Sequence, residues 1–147
     1  MTRVRTERGT ALVEVTWLSL LLLVPLLYVV LAVFEVQRAA YAVDAATRAA
    51  GRAYSLAPTQ AAGTVRARTA AEVALSDQGL SLSRAQVAIS CLPAPGSCLS
   101  PGSVIHVRIN CPVALPLMPD ALGGNTPSVR VESEHAVPYG SFRESRP

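Results

Sequence analysis

A long apolar run near the N-terminus most constrains what this chain can fold into. It extends from Ala11 to Phe34. The polar or helix-breaking residues inside it are Glu14, Thr16, Ser19 and Pro25. As an α-helix the run is about 36 Å long, which is enough to cross a hydrocarbon core about 30 Å thick. The sequence therefore predicts one membrane-spanning helix, in which Pro25 removes a backbone hydrogen bond and kinks the rod.

Positive charge is concentrated ahead of this run. Arg3, Arg5 and Arg8 precede it and are offset there by Glu7 alone, so little of the chain's net charge of +3 belongs to the other residues. Arginine before a first hydrophobic segment predicts a cytoplasmic N-terminus and an extracytoplasmic C-terminal domain. The chain has neither a basic patch nor interleaved aromatic residues, so nucleic acid is not an expected partner.

A cleaved secretory signal is a weaker interpretation of the same region. Ala40-Tyr41-Ala42 matches a small-x-small cleavage pattern. However, a signal peptide has an apolar core of about 7–15 residues, shorter than this run. Polar residues also separate the run from the candidate cleavage site.

Helical periodicity continues beyond the membrane segment. From Glu35 to Ser55 the sequence is rich in alanine and free of proline, which predicts one helix continuing out of the membrane until Leu56-Ala57-Pro58 ends it. The expected apolar stripe is Val36, Ala40, Val43, Thr47, Ala50 and Tyr54.

A second helix is predicted over residues 59–78, ending in a Schellman motif with Gly79 at C′ and Leu80 against Leu75. Its expected apolar stripe is Ala62, Val65, Thr69 and Val73, weakened by Gly63.

Beyond Ser83 the apolar period changes from that of a helix to that of a strand. Alternation predicts strands over 86–91, 104–112 and 128–137, with loops at 92–103 and 112–127. The expected fold class is α+β: a long membrane helix that continues outside, a second helix, and a small three-stranded antiparallel sheet laid on the helices. Residues 139–147 are predicted to form a flexible tail.

Three cysteines follow the membrane run, on the side where disulfides are permitted if the topology is correct. Cys91 and Cys98 flank a tight loop with two prolines, so they are the preferred pair. Pairing of Cys111 with either of them is the alternative, although Cys111 also continues the buried face of its strand.

No catalytic or metal motif is recognisable in the sequence. His106 and His135 have neither a nucleophile nor paired carboxylates at a useful spacing, and the cysteines offer no close ligand pair for zinc. Each histidine is expected to be a solvated strand residue. The chain is therefore interpreted as a non-enzyme without a cofactor.

The start of the apolar run resembles a prepilin signal. Arg8-Gly9, four residues and then Glu14 lead directly into the helix, as in the class-III signal of type IV pilin-like proteins. Together with the leucine-rich run and the stretch from Arg38 to Tyr54, this pattern resembles TadE-like minor pseudopilins of tight-adherence (Tad/Flp) pili. The small β-rich C-terminal domain agrees with that architecture.

The resemblance implies that a membrane prepilin peptidase cuts between Gly9 and Thr10. Residues 1–9 would then be a leader, 10–57 the membrane and extended helix, and 58–138 the outer domain. Removal of the leader would create an α-amine at Thr10, a partner for the Glu14 carboxylate of a neighbouring subunit. The implied partners are the peptidase, other pilins and pseudopilins of the filament, the inner-membrane assembly platform and the lipid bilayer.

Two other functions remain open at this stage. One is an unprocessed single-pass membrane protein whose outer domain binds a partner or the cell wall. The other is a small secreted domain released at Ala42. In the unprocessed membrane protein, Glu14 would simply extend its side chain to the headgroups, at little energetic cost.

Overall fold

A computed structural model describes residues 8–115 and 128–147, with side chains from residue 12 onward. The chain forms α1 (Arg8–Ser55), α2 (Gln60–Ser76), a short 3-10 helix (Leu82–Arg84), β1 (Gln86–Leu92), β2 (Val104–Ala114) and β3 (Ser128–Pro138). The strands form one antiparallel sheet in the order β1-β2-β3. The predicted α+β class and the order of its elements are confirmed.

The C-terminal half of α1 forms one wall of the core. Its buried residues include Val43, Thr47, Ala50 and Tyr54, as the predicted stripe requires. The prediction was wrong at Ala40, which is exposed, while Ala39 is buried in its place. The small side chains of this face allow α2 and the sheet to approach the helix closely.

The predicted apolar face of α2 is wrong. Val65 and Val73 are exposed, and the helix instead buries a stripe of small residues and one leucine: Gly63, Ala67, Ala71 and Leu75. A β-carbon added at Gly63 would lie 3.1 Å from two ring carbons of Tyr54. Because α2 packs this closely on α1, its smallest residues must face α1, and its valines are left outside.

Both ends of α2 follow from local sequence. Thr59 is the N-cap, and its side-chain oxygen accepts a hydrogen bond from the Ala62 N–H at 3.2 Å. At the other end Gly79 has φ +73°, and the Leu80 N–H donates to the Leu75 carbonyl at 2.9 Å. The predicted Schellman ending is confirmed.

The inner face of the sheet packs on the two helices. Ile105, Val107, Ile109 and Cys111 of β2 are fully buried, and alternate residues of β1 and β3 flank them. β2 extends two residues beyond its predicted end. At Pro112, β2 pairs with β3 alone, since β1 pairs with β2 only as far as Asn110, and proline is tolerated where one side of a strand is unpaired. The rest of the predicted 112–127 loop lies mainly outside the described residues.

The segment after Pro138, which the sequence predicts to be a flexible tail, is packed against the rest of the domain. Tyr139 is buried, and its N–H donates to the Ser103 carbonyl at 2.9 Å. Two arginines of the segment cover the end of α1: Arg143 donates to the Ser55 carbonyl and Arg146 to the Ala57 carbonyl, each at 3.0 Å. The carbonyls at a helix C-terminus lack intrahelical partners and attract cations, so these contacts dock the segment.

Candidate functional site

The predicted processing residues lie at the start of α1. Gly9 and Thr10 are in its first turn, and Glu14 is exposed one turn later. Thr10 and Glu14 are four residues apart and therefore share a side of the helix. A protease binds its substrate extended, so cleavage after Gly9 requires this turn to unwind. Glycine lowers the free-energy cost of unwinding by about 1 kcal/mol relative to alanine.

The helix beyond Glu14 presents an uncovered apolar surface. Large hydrophobic side chains are exposed along its length, among them Leu18, Leu21, Leu22, Leu23, Val24, Leu26, Leu27 and Phe34. The most apolar stretch has a mean hydropathy of 2.6, and none of it is buried inside the fold. It is therefore not the core helix of a globular domain. One helix near the N-terminus is long and apolar enough to span a membrane.

Pro25 does not divide this helix. α1 is continuous from Arg8 to Ser55 with Pro25 inside it. The missing proline N–H leaves the Leu21 carbonyl without its usual donor, a loss that membrane helices tolerate. The predicted kink stays a prediction.

Ion pairs along α1 begin where the apolar run ends. Arg38 donates to Glu35 at 2.7 Å, and further along the helix Arg48 pairs with Asp44. All four side chains are substantially exposed. The surface of α1 therefore changes from apolar to charged near Phe34.

Cys91 and Cys98 form the predicted disulfide, with their Cα atoms 5.2 Å apart. It closes the loop that follows β1. The Gln60 side chain, at the start of α2, donates to the Gly96 carbonyl at 3.0 Å and accepts from the Cys98 N–H at 3.5 Å. The bridge therefore fixes a loop at the end of the domain that is remote from the apolar run.

Cys111 is a free, buried thiol at the opposite end of β2. Cys91 pairs with Ile105, and Cys111 lies six positions further along β2, a distance of about 20 Å. The alternative pairing of Cys111 with Cys91 or Cys98 therefore cannot occur within one folded chain. Burial raises the pKa of the Cys111 thiol, although Arg84 acts in the opposite direction. A raised pKa makes this thiol a poor nucleophile.

Removing the Cys91–Cys98 bridge is expected to destabilise the α+β domain moderately. The Cys91→Ser/Cys98→Ser double variant should lose about 2–3 kcal/mol of unfolding free energy, because the bridge closes a short loop in the unfolded chain. Denaturant unfolding of the detergent-solubilised full chain measures this loss. Reduction of the wild-type protein should reproduce it, and reduction of the double variant should change nothing. Equal stability with and without reductant would contradict the prediction.

The two histidines lie on opposite faces of the sheet. His106 is on the outer face, with Nδ1 3.1 Å from Glu134 Oε1, and Arg108 donates to Glu134 Oε2 at 2.6 Å. A hydrogen bond from Arg108, and a smaller contribution from the hydrogen bond with His106, hold the pKa of Glu134 below its usual value. His135 was expected to be solvated, but it is half-buried on the inner face, beside Gly51 of α1.

Among the residues that the structure describes, no group of three or more His, Cys, Asp or Glu side chains is arranged to hold a metal ion. The contacts of the two histidines are explained by sheet packing and by one surface ion-pair network.

No protein-family model, curated protein or solved structure matches this chain. Its function is therefore inferred from its own residues and their geometry.

Two features of the α+β domain were not predicted from the sequence. Gly51 is one: a β-carbon there would lie 2.7 Å from Val137 Cγ2, so the glycine marks the closest approach of α1 to β3. The docked segment around Tyr139 is the other. The sequence did contain an indication of each feature. Gly51 interrupts an alanine-rich helix, and Arg143 and Arg146 are cations suited to a helix C-terminus.

Proposed function

We propose that this chain is a minor pseudopilin, a structural or assembly component of a Tad/Flp-type pilus or a related secretion filament. The observation that carries the proposal is Gly9 and Glu14 at prepilin spacing, in the first turns of one uninterrupted helix. The apolar half of that helix is uncovered, and its outer half carries a small α+β domain. Such a helix can be anchored in a bilayer first and packed beside other helices afterwards.

The proposed location is the cytoplasmic membrane, with a single pass. The arginines before the run keep the N-terminus in the cytoplasm, and the domain that begins near residue 58 lies outside. The Cys91–Cys98 bridge supports this orientation, because disulfides persist in oxidising compartments. Incorporation into a surface pilus would follow extraction from the membrane.

Processing would change the electrostatics of the helix start. Cleavage after Gly9 by a prepilin peptidase removes the arginines that hold the helix at the cytoplasmic face. The new α-amine at Thr10 is a cation close to Glu14. In an assembly, the Glu14 carboxylate of one subunit can pair with the Thr10 amine of the next, which offsets the cost of holding a charge in an apolar layer. Other pilins, pseudopilins and the assembly platform are the proposed partners. No catalytic step is assigned to the chain.

Cleavage after Gly9 is the expected outcome when the chain is co-expressed with a matching prepilin peptidase. The mature protein should begin at Thr10, and Gly9→Val should remain full length, because a β-branched side chain blocks the close approach that the scissile bond requires. Intact mass and N-terminal sequencing of the purified membrane protein measure the outcome.

The matched control is Ala11→Val, which adds a β-branched side chain to the same turn but leaves the scissile bond between Gly9 and Thr10. It should still be cleaved. A wild-type chain that stays uncut beside an active peptidase would refute the proposal and favour an unprocessed single-pass protein. An N-terminus after Ala42 would indicate a secreted domain instead.

A further inference from the structure

One end of the sheet reaches down to the apolar run of α1. Leu115, directly after β2, and Val129, in β3, line a groove of about 330 Å³ together with residues of α1. Three of these α1 residues are Tyr28, Val29 and Val33. The strand ends therefore lie beside residues that come before Phe34, where the apolar run ends.

The depth of this contact follows from helix geometry. Tyr28 comes six residues before Phe34, a distance of about 9 Å along the axis. If the apolar run spans the bilayer, the groove begins about 9 Å inside the boundary that Phe34 marks. Val29 and Val33 are exposed in the structure, so the α1 wall of the groove is part of the surface that lipid contacts.

The chemistry of the groove fits hydrocarbon. Among the residues that the structure describes, the lining contains no charged side chain, and its polar groups are the Gln37 amide, at the outer end, and the Tyr28 hydroxyl. Arg130 follows Val129 directly and is exposed on the outer face of β3. With Val129 among acyl chains, the Arg130 guanidinium would be at headgroup height, where arginine side chains reach phosphate.

We infer that this end of the sheet, the sheet tip formed by Ala114-Leu115 and Ser128-Val129, is inserted in the outer leaflet and that phospholipid acyl chains fill the groove beside α1. The outer domain then rests in the membrane surface instead of standing clear of it on a helical stalk. The inference rests on the proposed membrane span but not on membership of a pilus.

The position of the groove beside the apolar surface of α1 favours lipid as its occupant. The groove is continuous with the uncovered surface of α1, so acyl chains surround it at that depth without any further binding partner. Entry of the sheet tip into a filament would require these lipids to leave.

Tryptophan quenching by brominated lipids tests the inference, because the chain has one tryptophan, Trp17, inside the apolar run. The full chain is placed in phosphatidylcholine vesicles with or without bromine on the acyl chains near the headgroup or near the methyl end. Trp17 in the wild-type chain reports whether α1 is in lipid. The Trp17→Phe/Val129→Trp and Trp17→Phe/Leu115→Trp variants report the sheet tip. Trp17→Phe/Ala136→Trp is the matched control, seven residues along β3 and about 24 Å away.

Bromine near the headgroup is expected to reduce emission from both sheet-tip variants about twofold or more, while the Ala136→Trp control changes by less than about a tenth. Quenching of Trp17 without quenching of either sheet-tip variant would overturn the inference and leave the membrane span intact. It would mean that the tip is covered by protein, either the chain's own 116–127 segment or a second copy, or that it stands in water. An unquenched Trp17 would overturn the membrane placement itself, and the inference with it.

Discussion

Replacing Glu14 by leucine is expected to leave cleavage after Gly9 intact and to reduce incorporation of the protein into a filament at least tenfold. In the proposed assembly the carboxylate is paired with the α-amine of a neighbouring Thr10. Losing one partner leaves the other charge uncompensated in a low dielectric, which costs about 3–5 kcal/mol for a fully buried pair. Near the membrane boundary we expect roughly a third of that cost. A loss of about 1.4 kcal/mol already lowers an association constant tenfold.

The measurement is the ratio of mature Glu14→Leu protein recovered with sheared filaments, or co-purified with other pilins, to that in the membrane fraction. Ser19→Leu is the matched control, because it also replaces a polar residue of the apolar run with leucine. It should be processed and incorporated like the wild type. If Glu14 only extends to the headgroups, Glu14→Leu removes a charge from the run and strengthens membrane retention without affecting assembly. Normal incorporation of processed Glu14→Leu protein would therefore leave the carboxylate without an assembly role.

Replacing Gly51 by valine is expected to destabilise the α+β domain by about 2–3 kcal/mol. The new β-carbon would lie 2.7 Å from Val137 Cγ2 and 3.7 Å from Val107 Cγ2. Val137 is β-branched and held in a strand, so it has few alternative rotamers and β3 must move instead. Overpacking of this kind costs about 1–3 kcal/mol, and the small helix-propensity gain of valine over glycine does not offset it.

Denaturant unfolding of the detergent-solubilised chain, followed by circular dichroism, measures this loss. Ala45→Val, on the exposed side of the same helix, is the control and should change stability by less than about 0.7 kcal/mol.

A double-mutant cycle separates the clash from other effects of the substitution. In a Val137→Ala background the space is open, so Gly51→Ala should stabilise by up to about 1 kcal/mol through helix propensity. In the wild-type background the same change should destabilise. The same sign in both backgrounds would show that close approach of α1 and β3 is not the reason for the glycine.

Local patterns were sufficient to predict the elements of this fold. The end of α1, the N-cap and C-cap region of α2, and the three strands agree with the structure to within about two residues, because they depend on interactions between residues close in sequence. The Cys91–Cys98 pair was predictable for the same reason, since a seven-residue separation keeps the two thiols near each other whatever the tertiary fold.

The candidate site also combines residues that could be predicted from one segment with contacts that depend on the tertiary fold. Gly9, Thr10 and Glu14 were assigned through the resemblance of one short segment to a prepilin signal, and Pro25 from its place in the apolar run. The structure adds that one continuous helix contains all four. Which residues of other segments come close to that helix was not visible in the sequence. The position of Leu115 and Val129 beside Tyr28 depends on how far the sheet is shifted along α1. No local sequence pattern predicts that shift.

The buried face of α2 was decided by tertiary structure alone. Sequence periodicity gives most weight to the largest apolar residues and therefore selected Val65 and Val73. The helix instead packs through Gly63, Ala67 and Ala71, because the distance between the two helix axes depends on the smallest side chains at the contact. The docking of residues 139–147 was likewise decided only in the folded domain. Its arginines meet the free carbonyls at the end of α1 more than 80 residues away in sequence, and only the assembled core brings the two together.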